Sequence, residues 1–230
     1  MPLLAGFLSV LFATAAGALG YWAVRNTRRA VLIDRTPTTP VSQVKNGLAE
    51  IKGHLAAAGE PLRSPVTNSE CVYYHIRVEE LSLNLGEEAW TTVVEDRQFS
   101  DCLVADGTGS IAVDLQSAEL DVGSMVETDE AAPWYVRMIA RERYHQPDLR
   151  QKVRYSEVIL KTGTPVYVLG HASDNDGSLR MESTASQPLF VSAESENKLL
   201  SRYRRRAAMC WVTGAAAAAS LSLLVTQLGF

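Results

Sequence analysis

The stretch CVYYHIRVEELSL, residues 71–83, alternates apolar and polar side chains with a period of two. β-Branched and aromatic residues fill its apolar positions, which is typical of a half-buried β-strand. One face carries the apolar set Val72, Tyr74, Ile76 and Val78. The other face carries the mixed set Tyr73, His75, Arg77 and Glu79. We expect this second face to be a candidate partner surface, with an ordinary solvated strand face as the alternative.

Similar patterns on both sides of this stretch predict further strands. Residues 47–58 alternate, and residues 89–98 are suited to be the hairpin partner of 71–83, with a turn in NLGEE (84–88). Residues 101–115 (DCLVADGTGSIAVDL) and 164–183 (TPVYVLGHASDNDGSLRMES) each predict two short strands around a glycine-containing turn.

Two segments do not alternate with a period of two and instead have patterns that predict helices. Residues 129–146 have a helical pattern with Pro133 near the first turn, and an amphipathic helix is expected from about Ser192 to Arg206. Short strands at this spacing with one intervening helix predict an α+β domain that is mainly β. The expected core is an OB-like or related small β-barrel, closed or half-closed.

Both ends of the chain are apolar and uncharged. Residues 3–24 are 22 uncharged residues, and residues 207–230 are 24, or roughly 36 Å of helix against a hydrocarbon core of about 30 Å. We therefore predict two transmembrane helices at these positions, flanking a domain at residues 25–206. The alternatives are a cleaved signal peptide for the first and a buried core helix for the second. Their many small residues would permit homo-oligomerisation through the spans.

Basic residues form a collar beside each predicted span, at Arg25, Arg28, Arg29 and Arg35 and at Lys198, Arg202, Arg204, Arg205 and Arg206. Positive charge beside a span is retained on the cytoplasmic side, so we expect a bacterial inner-membrane protein with residues 25–206 in the cytoplasm. An extracytoplasmic domain is the alternative. The collars would also attract the anionic head groups of the bilayer.

The domain between the collars is acidic. Residues 36–197 contain 13 basic and 25 acidic residues, a net charge of −12. Because phosphate contacts dominate nucleic-acid affinity, this charge argues against a nucleic-acid partner. It does not argue against an oligosaccharide, which stays open as a weaker class of ligand.

Motifs for catalysis or metal binding are missing from the sequence. There is no G-x-S-x-G, and ADGTGS (105–110) lacks the remaining residues of a phosphate loop. The four histidines are isolated from one another, and none forms a recognisable metal-site pattern with its neighbours: His54, His75, His145 and His171. We therefore predict no catalytic residue, no metal site and no cofactor. Cys71 and Cys102 lie in predicted strands, where they could be neighbours, and we expect free buried thiols.

Three segments carry a family resemblance: residues 36–80, which end in CVYYHIRVEE, residues 103–115 (LVADGTGSIAVDL) and residues 154–172 (RYSEVILKTGTPVYVLGHA). They resemble the GIDE-type domain, also called the BAM ("beside a membrane") domain, of the mitochondrial-anchored E3 ubiquitin ligase and many prokaryotic relatives. The resemblance implies a domain held between two membrane spans. In the eukaryotic ligase a zinc-binding RING follows the second span and carries the transfer activity.

The cysteine content departs from that ligase. The sequence has three cysteines and no C-x-x-C, whereas a RING needs eight Cys or His ligands for its two zinc ions. We therefore expect no intrinsic ubiquitin ligase activity. The predicted function is a membrane-anchored β-rich binding or scaffold module that recruits or senses a protein partner near the bilayer. The alternative is a component of an E3-like or other enzymatic system that acts through a separate catalytic partner.

Overall fold

The computed structural model describes residues 2–84, 87–122, 124–129, 134–145, 152–175 and 177–227. The helices are α1 (Pro2–Arg35), α2 (Trp134–Glu142) and α3 (Glu196–Gln227). The strands are β1 (Gly47–Ala57), β2 (Leu62–Arg63), β3 (Glu70–Asn84), β4 (Glu87–Phe99), β5 (Cys102–Ala105), β6 (Ser110–Val113), β7 (Glu119–Asp121), β8 (Ser124–Asp129), β9 (Val153–Lys161), β10 (Pro165–Asn175), β11 (Ser178–Glu182) and β12 (Phe190–Ser192). The chain divides into two units, residues 1–37 with 195–230 and residues 38–194.

The first unit is a pair of long helices, α1 and α3, that pack against each other. Trp211 Nε1 donates a hydrogen bond to Thr27 Oγ1 at 3.4 Å, and Arg204 forms an ion pair with Asp34 at 2.9 Å. Helix α1 continues eleven residues past the predicted boundary at residue 24, so the first collar is helical.

Over the described residues, none of the three helices contains a stretch whose length and hydropathy together would suffice for a membrane span. The spans at 3–24 and 207–230 therefore stay a prediction.

Five strands of the second unit form a ring. β1 pairs with β5, β5 with β6, β6 with β11, β11 with β10, and β10 closes the ring on β1. Only the β6–β11 pairing is parallel among these five. The predicted small closed barrel is thus confirmed, and β12 and β7 extend it from β10. Its core holds mainly branched aliphatic side chains, among them Ile51, Leu55, Val104, Val168 and Leu189.

A second sheet has the order β4-β3-β9-β8, with β2 beside the start of β3, and all of its pairings are antiparallel. The predicted hairpin between residues 71–83 and 89–98 is confirmed as β3–β4, although Leu85 and Gly86 of its turn lie outside the described residues. One face of this sheet buries Tyr74, Ile76 and Val78 against Val136 and Ala140 of α2.

Tyr73 corrects one part of the strand prediction. It is 5% exposed and packs in the barrel core, with its ring 5.0 Å from that of Phe99. The register of β3 relative to β9 shifts between Cys71 and Tyr73, and both faces of the strand are covered at this end, by the barrel core and by the core beneath α2. Simple alternation therefore fails at this point, and Tyr73 does not share an open face with His75 and Arg77.

The two predicted helical segments also differ in their limits. The segment 129–146 narrows to α2 at Trp134–Glu142, and Pro133 lies outside the described residues. The helix expected from Ser192 begins at Glu196 because residues 190–192 pair with β10 and β7 as β12.

Candidate functional site

The open face of β3 carries His75, Arg77 and Glu79, the three remaining members of the predicted partner surface. The β3–β4 register places Glu95 directly opposite Arg77 and two residues from His75 along the sheet. Glu95 Oε1 receives a hydrogen bond from Arg77 Nη2 at 2.7 Å and lies 3.1 Å from His75 Nε2. One carboxylate thus joins two basic side chains of the neighbouring strand.

These contacts shift the protonation equilibria of the group. The hydrogen bonds from Arg77 and then from His75 lower the pKa of Glu95, and the Glu95 carboxylate raises the pKa of Arg77. Arg77 Nε is buried and has no hydrogen-bond partner among the described residues.

A second ion pair extends this face across β9. Arg154 Nε donates to Glu79 Oε2 at 2.7 Å, and the Arg154 guanidinium lies 4.8 Å from the centre of the Trp90 ring. The hydrogen bond from Arg154 lowers the pKa of Glu79. We define the β3 surface as His75, Arg77, Glu79, Trp90, Glu95 and Arg154. Its charges compensate one another, which suits recognition rather than proton transfer.

The opposite face of the sheet holds α2 through a polar cluster that sequence reasoning missed. Asp96 Oδ2 accepts hydrogen bonds from Tyr74 Oη at 2.9 Å and Tyr144 Oη at 2.7 Å. Arg143 Nη2 donates to Tyr74 Oη at 2.5 Å. Tyr74 and Asp96 belong to adjacent strands, whereas the other two side chains follow α2, so only the tertiary fold brings them together.

Burial and the Asp96 carboxylate raise the pKa of Tyr74 to about 12 and also raise that of Tyr144. Burial opposes ionisation of Asp96, but its hydrogen bonds from Tyr144, Gln98 and Tyr74 outweigh this and lower its pKa. Around neutral pH the cluster therefore contains a carboxylate that accepts hydrogen bonds from two neutral phenols. This arrangement fixes a helix and leaves no base free to act on a substrate.

An open cavity of about 640 Å³ lies at one side of the barrel. Its lining includes Glu60, Asp101, Asp114 and Arg180, with Phe99 among the few apolar side chains. Arg180 Nη2 and Asp101 Oδ1 are 3.9 Å apart. The described lining residues include one serine, Ser100, and no histidine that could act as its base, so the cavity gathers charges without a recognisable nucleophile–base pair.

The three cysteines are free. Cys71 belongs to the core shared by the second sheet and α2, whereas Cys102 belongs to the barrel core. Burial, followed by the negative charge of Glu157, raises the pKa of Cys71, and burial raises the pKa of Cys102 to about 12. Within the described residues, no three His, Cys, Asp or Glu side chains are grouped as metal ligands.

The collar arginines lie on the two long helices, Arg25, Arg28 and Arg29 on α1 and Arg202, Arg204, Arg205 and Arg206 on α3. The packing of the helices brings members of the two collars close together. The Arg29 guanidinium lies 5.7 Å from the centre of the Tyr203 ring, whose neighbour Arg204 reaches back to Asp34.

Comparison with protein families identifies the chain. The model of the GIDE family, described as E3 Ubiquitin ligase, matches residues 73–226. Comparisons with curated proteins and with solved structures found no match. Since the family match covers more than half of the 230 residues, the protein belongs to the GIDE family.

Proposed function

We propose that this GIDE protein is a membrane-anchored binding module. In this proposal, residues 3–24 and 207–230 span a bacterial inner membrane, and the domain between them recruits or senses a protein partner from the cytoplasmic side. Anchoring would raise the effective concentration of the domain near the bilayer, to roughly mM levels for short links, so that weak contacts suffice.

The observation that carries the proposal is a group of exposed aromatic rings beside the arginine collars. Tyr21, Trp22 and Trp211 are 63%, 50% and 51% exposed. Arg25 lies over the Trp22 ring at 5.3 Å. Trp and Tyr next to basic residues are typical of the membrane–water interface, where the ring is amphipathic and the charge remains hydrated.

Positive charge next to both uncharged segments supports a single orientation. The collars contain nine basic residues, and residues 3–24 and 207–230 contain none. The proposed cytoplasmic location also agrees with three free thiols, because that compartment keeps cysteines reduced.

The β3 surface supports a binding role over a catalytic one. Its six side chains form two compensated charge groups, and its single histidine contacts a carboxylate that Arg77 already holds. Such a surface would recognise a partner by charge complementarity.

Extraction and labelling test the anchoring. We expect the full chain to remain in the membrane pellet after an alkaline carbonate wash, because spanning helices resist it. Recovery of the intact chain in the supernatant would refute the anchors. Sidedness requires an engineered thiol, since Cys71 and Cys102 are buried. Thr91→Cys on β4, in a Cys210→Ser background, should be protected from an impermeant reagent in intact cells and labelled after lysis.

A charge exchange tests the binding surface. Glu95→Arg would place three basic groups together on the β3 surface and should abolish co-purification of the partner with the full chain. Asp174→Arg changes the net charge equally at an exposed position of β10, which makes it the matched control. Equal loss with both variants would indicate a nonspecific charge effect and exclude the β3 surface.

The family description favours a second candidate. The GIDE model is described as E3 Ubiquitin ligase, so the chain could act in a ligase-like system through a separate catalytic partner. In that case, adding the chain to a reconstituted ubiquitin-transfer reaction should stimulate transfer by the partner enzyme, and Glu95→Arg should remove the stimulation. A chain that transfers ubiquitin without a second ligase would contradict both candidates.

A further inference from the structure

One face of helix α2 is apolar and basic, and it points away from the hydrophobic core that α2 forms with the second sheet. Val136 and Ala140 are buried against the second sheet, whereas Trp134 is 74% exposed and Met138 43% exposed. Side chains four residues apart are neighbours on a helix, and Arg141 continues the same stripe. We define the α2 outer face as Trp134, Arg137, Met138 and Arg141.

This helix is rigidly attached to the sheet beneath it. Tyr135 Oη lies 2.6 Å from Tyr155 Oη at one end, and Arg143 and Tyr144 bond Tyr74 and Asp96 at the other. The exposure of Trp134 is therefore not a consequence of a loosely attached helix. A large aromatic side chain held in water by a fixed scaffold indicates a surface that a partner covers.

Helix α2 carries more positive than negative charge in an otherwise acidic domain. Residues 134–142 contain two arginines, Arg137 and Arg141, both on the α2 outer face, and one acidic residue, Glu142. Since segment 36–197 has a net charge of −12, this local excess is complementary to an anionic partner.

The size of the face favours a lipid surface over a protein. Nine residues form roughly 14 Å of helix. A stable protein interface buries about 800 Å² on each partner, much more than two apolar side chains on a short helix can offer. A Trp and a Met flanked by arginines suit shallow insertion among head groups, where each arginine contributes about 1 kcal/mol on an anionic leaflet.

We propose that the α2 outer face binds the surface of an anionic lipid bilayer. Trp134 and Met138 enter the head-group region, and Arg137 and Arg141 contact lipid phosphates or carboxylates. The inference rests on the proposed function in one respect: anchoring keeps the domain within reach of a bilayer, so a weak contact of this kind is populated.

The test uses the full chain with Met138→Cys and Cys210→Ser, so that position 138 carries the accessible thiol. The chain is labelled with an environment-sensitive fluorophore and placed in nanodiscs of phosphatidylcholine, alone or mixed with phosphatidylserine. We expect a blue shift and quenching by head-group nitroxides only in the mixed discs. Arg137→Glu with Arg141→Glu should lower the equilibrium constant for the membrane-bound state of α2, obtained from that quenching, by roughly fivefold for each arginine removed.

Arg97→Glu with Arg180→Glu is the matched control, because it changes the net charge equally at two exposed arginines of the same unit. An unchanged probe in both lipids, or equal loss with both charge pairs, would overturn the inference. Co-elution with the discs separates the two proposals, since an anchored chain with an unshifted probe contradicts only the α2 contact. A chain that does not enter discs contradicts the anchors, and its sedimentation with phosphatidylserine vesicles then tests the α2 outer face directly.

Discussion

Gly53 lies so close to Ala105 that a Cβ atom on Gly53 would stand 2.5 Å from the Ala105 carbonyl oxygen. This contact occurs where β1 changes partner, since β1 pairs with β10 up to His54 and with β5 from His54 onward. A glycine in a strand often marks such a bend at a barrel corner. Closure of the ring therefore depends on the missing side chain at position 53.

We expect Gly53→Ala to destabilise the domain by about 1–3 kcal/mol, because the added methyl group meets backbone atoms that cannot rotate away. Urea unfolding of the full chain in detergent measures this. Gly170→Ala should cost less, since its closest clash is with the movable end of the Leu189 side chain. Gly59→Ala is the matched control, because a Cβ there has no neighbour within 4 Å. Equal midpoints for Gly53→Ala and Gly59→Ala would contradict this account.

Local sequence patterns account for the strands that could be predicted. β3 and β10 were predictable because their apolar positions alternate, and the glycine-containing turns marked the hairpins of the barrel. β9 was not predicted, because a carboxylate, Glu157, is one of its four buried residues, the others being Val153, Tyr155 and Leu160. A buried carboxylate interrupts the apolar pattern, and the backbone groups that compensate it come from a loop 90 residues earlier in the chain.

For the candidate site too, local sequence patterns predict residues on one strand but not their partners on other elements. His75, Arg77 and Glu79 follow from alternation along one strand, and the structure places all three on one face. Their partners Glu95 and Arg154 depend on strand pairing, which a single segment does not encode. The cluster around Asp96 depends in addition on where α2 packs, and no local signal marks it.

The buried Glu157 supports the loop between β2 and β3. Its oxygens accept hydrogen bonds from Val66 N at 2.8 Å, Thr67 N at 3.1 Å and Thr67 Oγ1 at 2.7 Å. Glu157→Gln replaces one acceptor with a donor and should cost about 1–3 kcal/mol. The free energy of unfolding of the full chain measures this cost.

Loosening of that loop should also expose Cys71, which bonds Leu62 O across it. In a Cys210→Ser background, we expect faster thiol labelling of Cys71 in Glu157→Gln, while Cys102 in the barrel core stays protected. Glu60→Gln, at an exposed position before β2, is the control. Unchanged Cys71 reactivity would show that Glu157 does not hold the loop.

Asp96 should determine whether α2 stays docked. Asp96→Asn leaves the two phenols of Tyr74 and Tyr144 without a charged acceptor, and the loss should be about 2–4 kcal/mol for two charge-assisted bonds. Hydrogen–deuterium exchange of residues 134–142 measures the undocking, and we expect faster exchange there than in β10. Glu95→Gln changes the residue next to Asp96, whose side chain lies on the opposite face of the sheet. It should therefore leave α2 protected from hydrogen–deuterium exchange. Equal protection in both variants would exclude this role for Asp96.

Asp106 should make part of the stability depend on pH. Its carboxylate accepts hydrogen bonds from Thr108 Oγ1 at 2.7 Å, Thr108 N at 2.8 Å and Val41 N at 2.8 Å, and these bonds lower its pKa to about 2 from 3.8. Because the folded pKa lies below the unfolded one, the contribution is complete above about pH 4 and is lost as the pH falls toward 2. Asp106→Asn should therefore flatten the fall in urea midpoint over this window. Asp174→Asn removes the same charge at an exposed position and should keep the pH-dependent fall in urea midpoint seen in the unmodified chain. Parallel curves for the two variants would show that the hydrogen bonds of Asp106 do not cause this pH dependence.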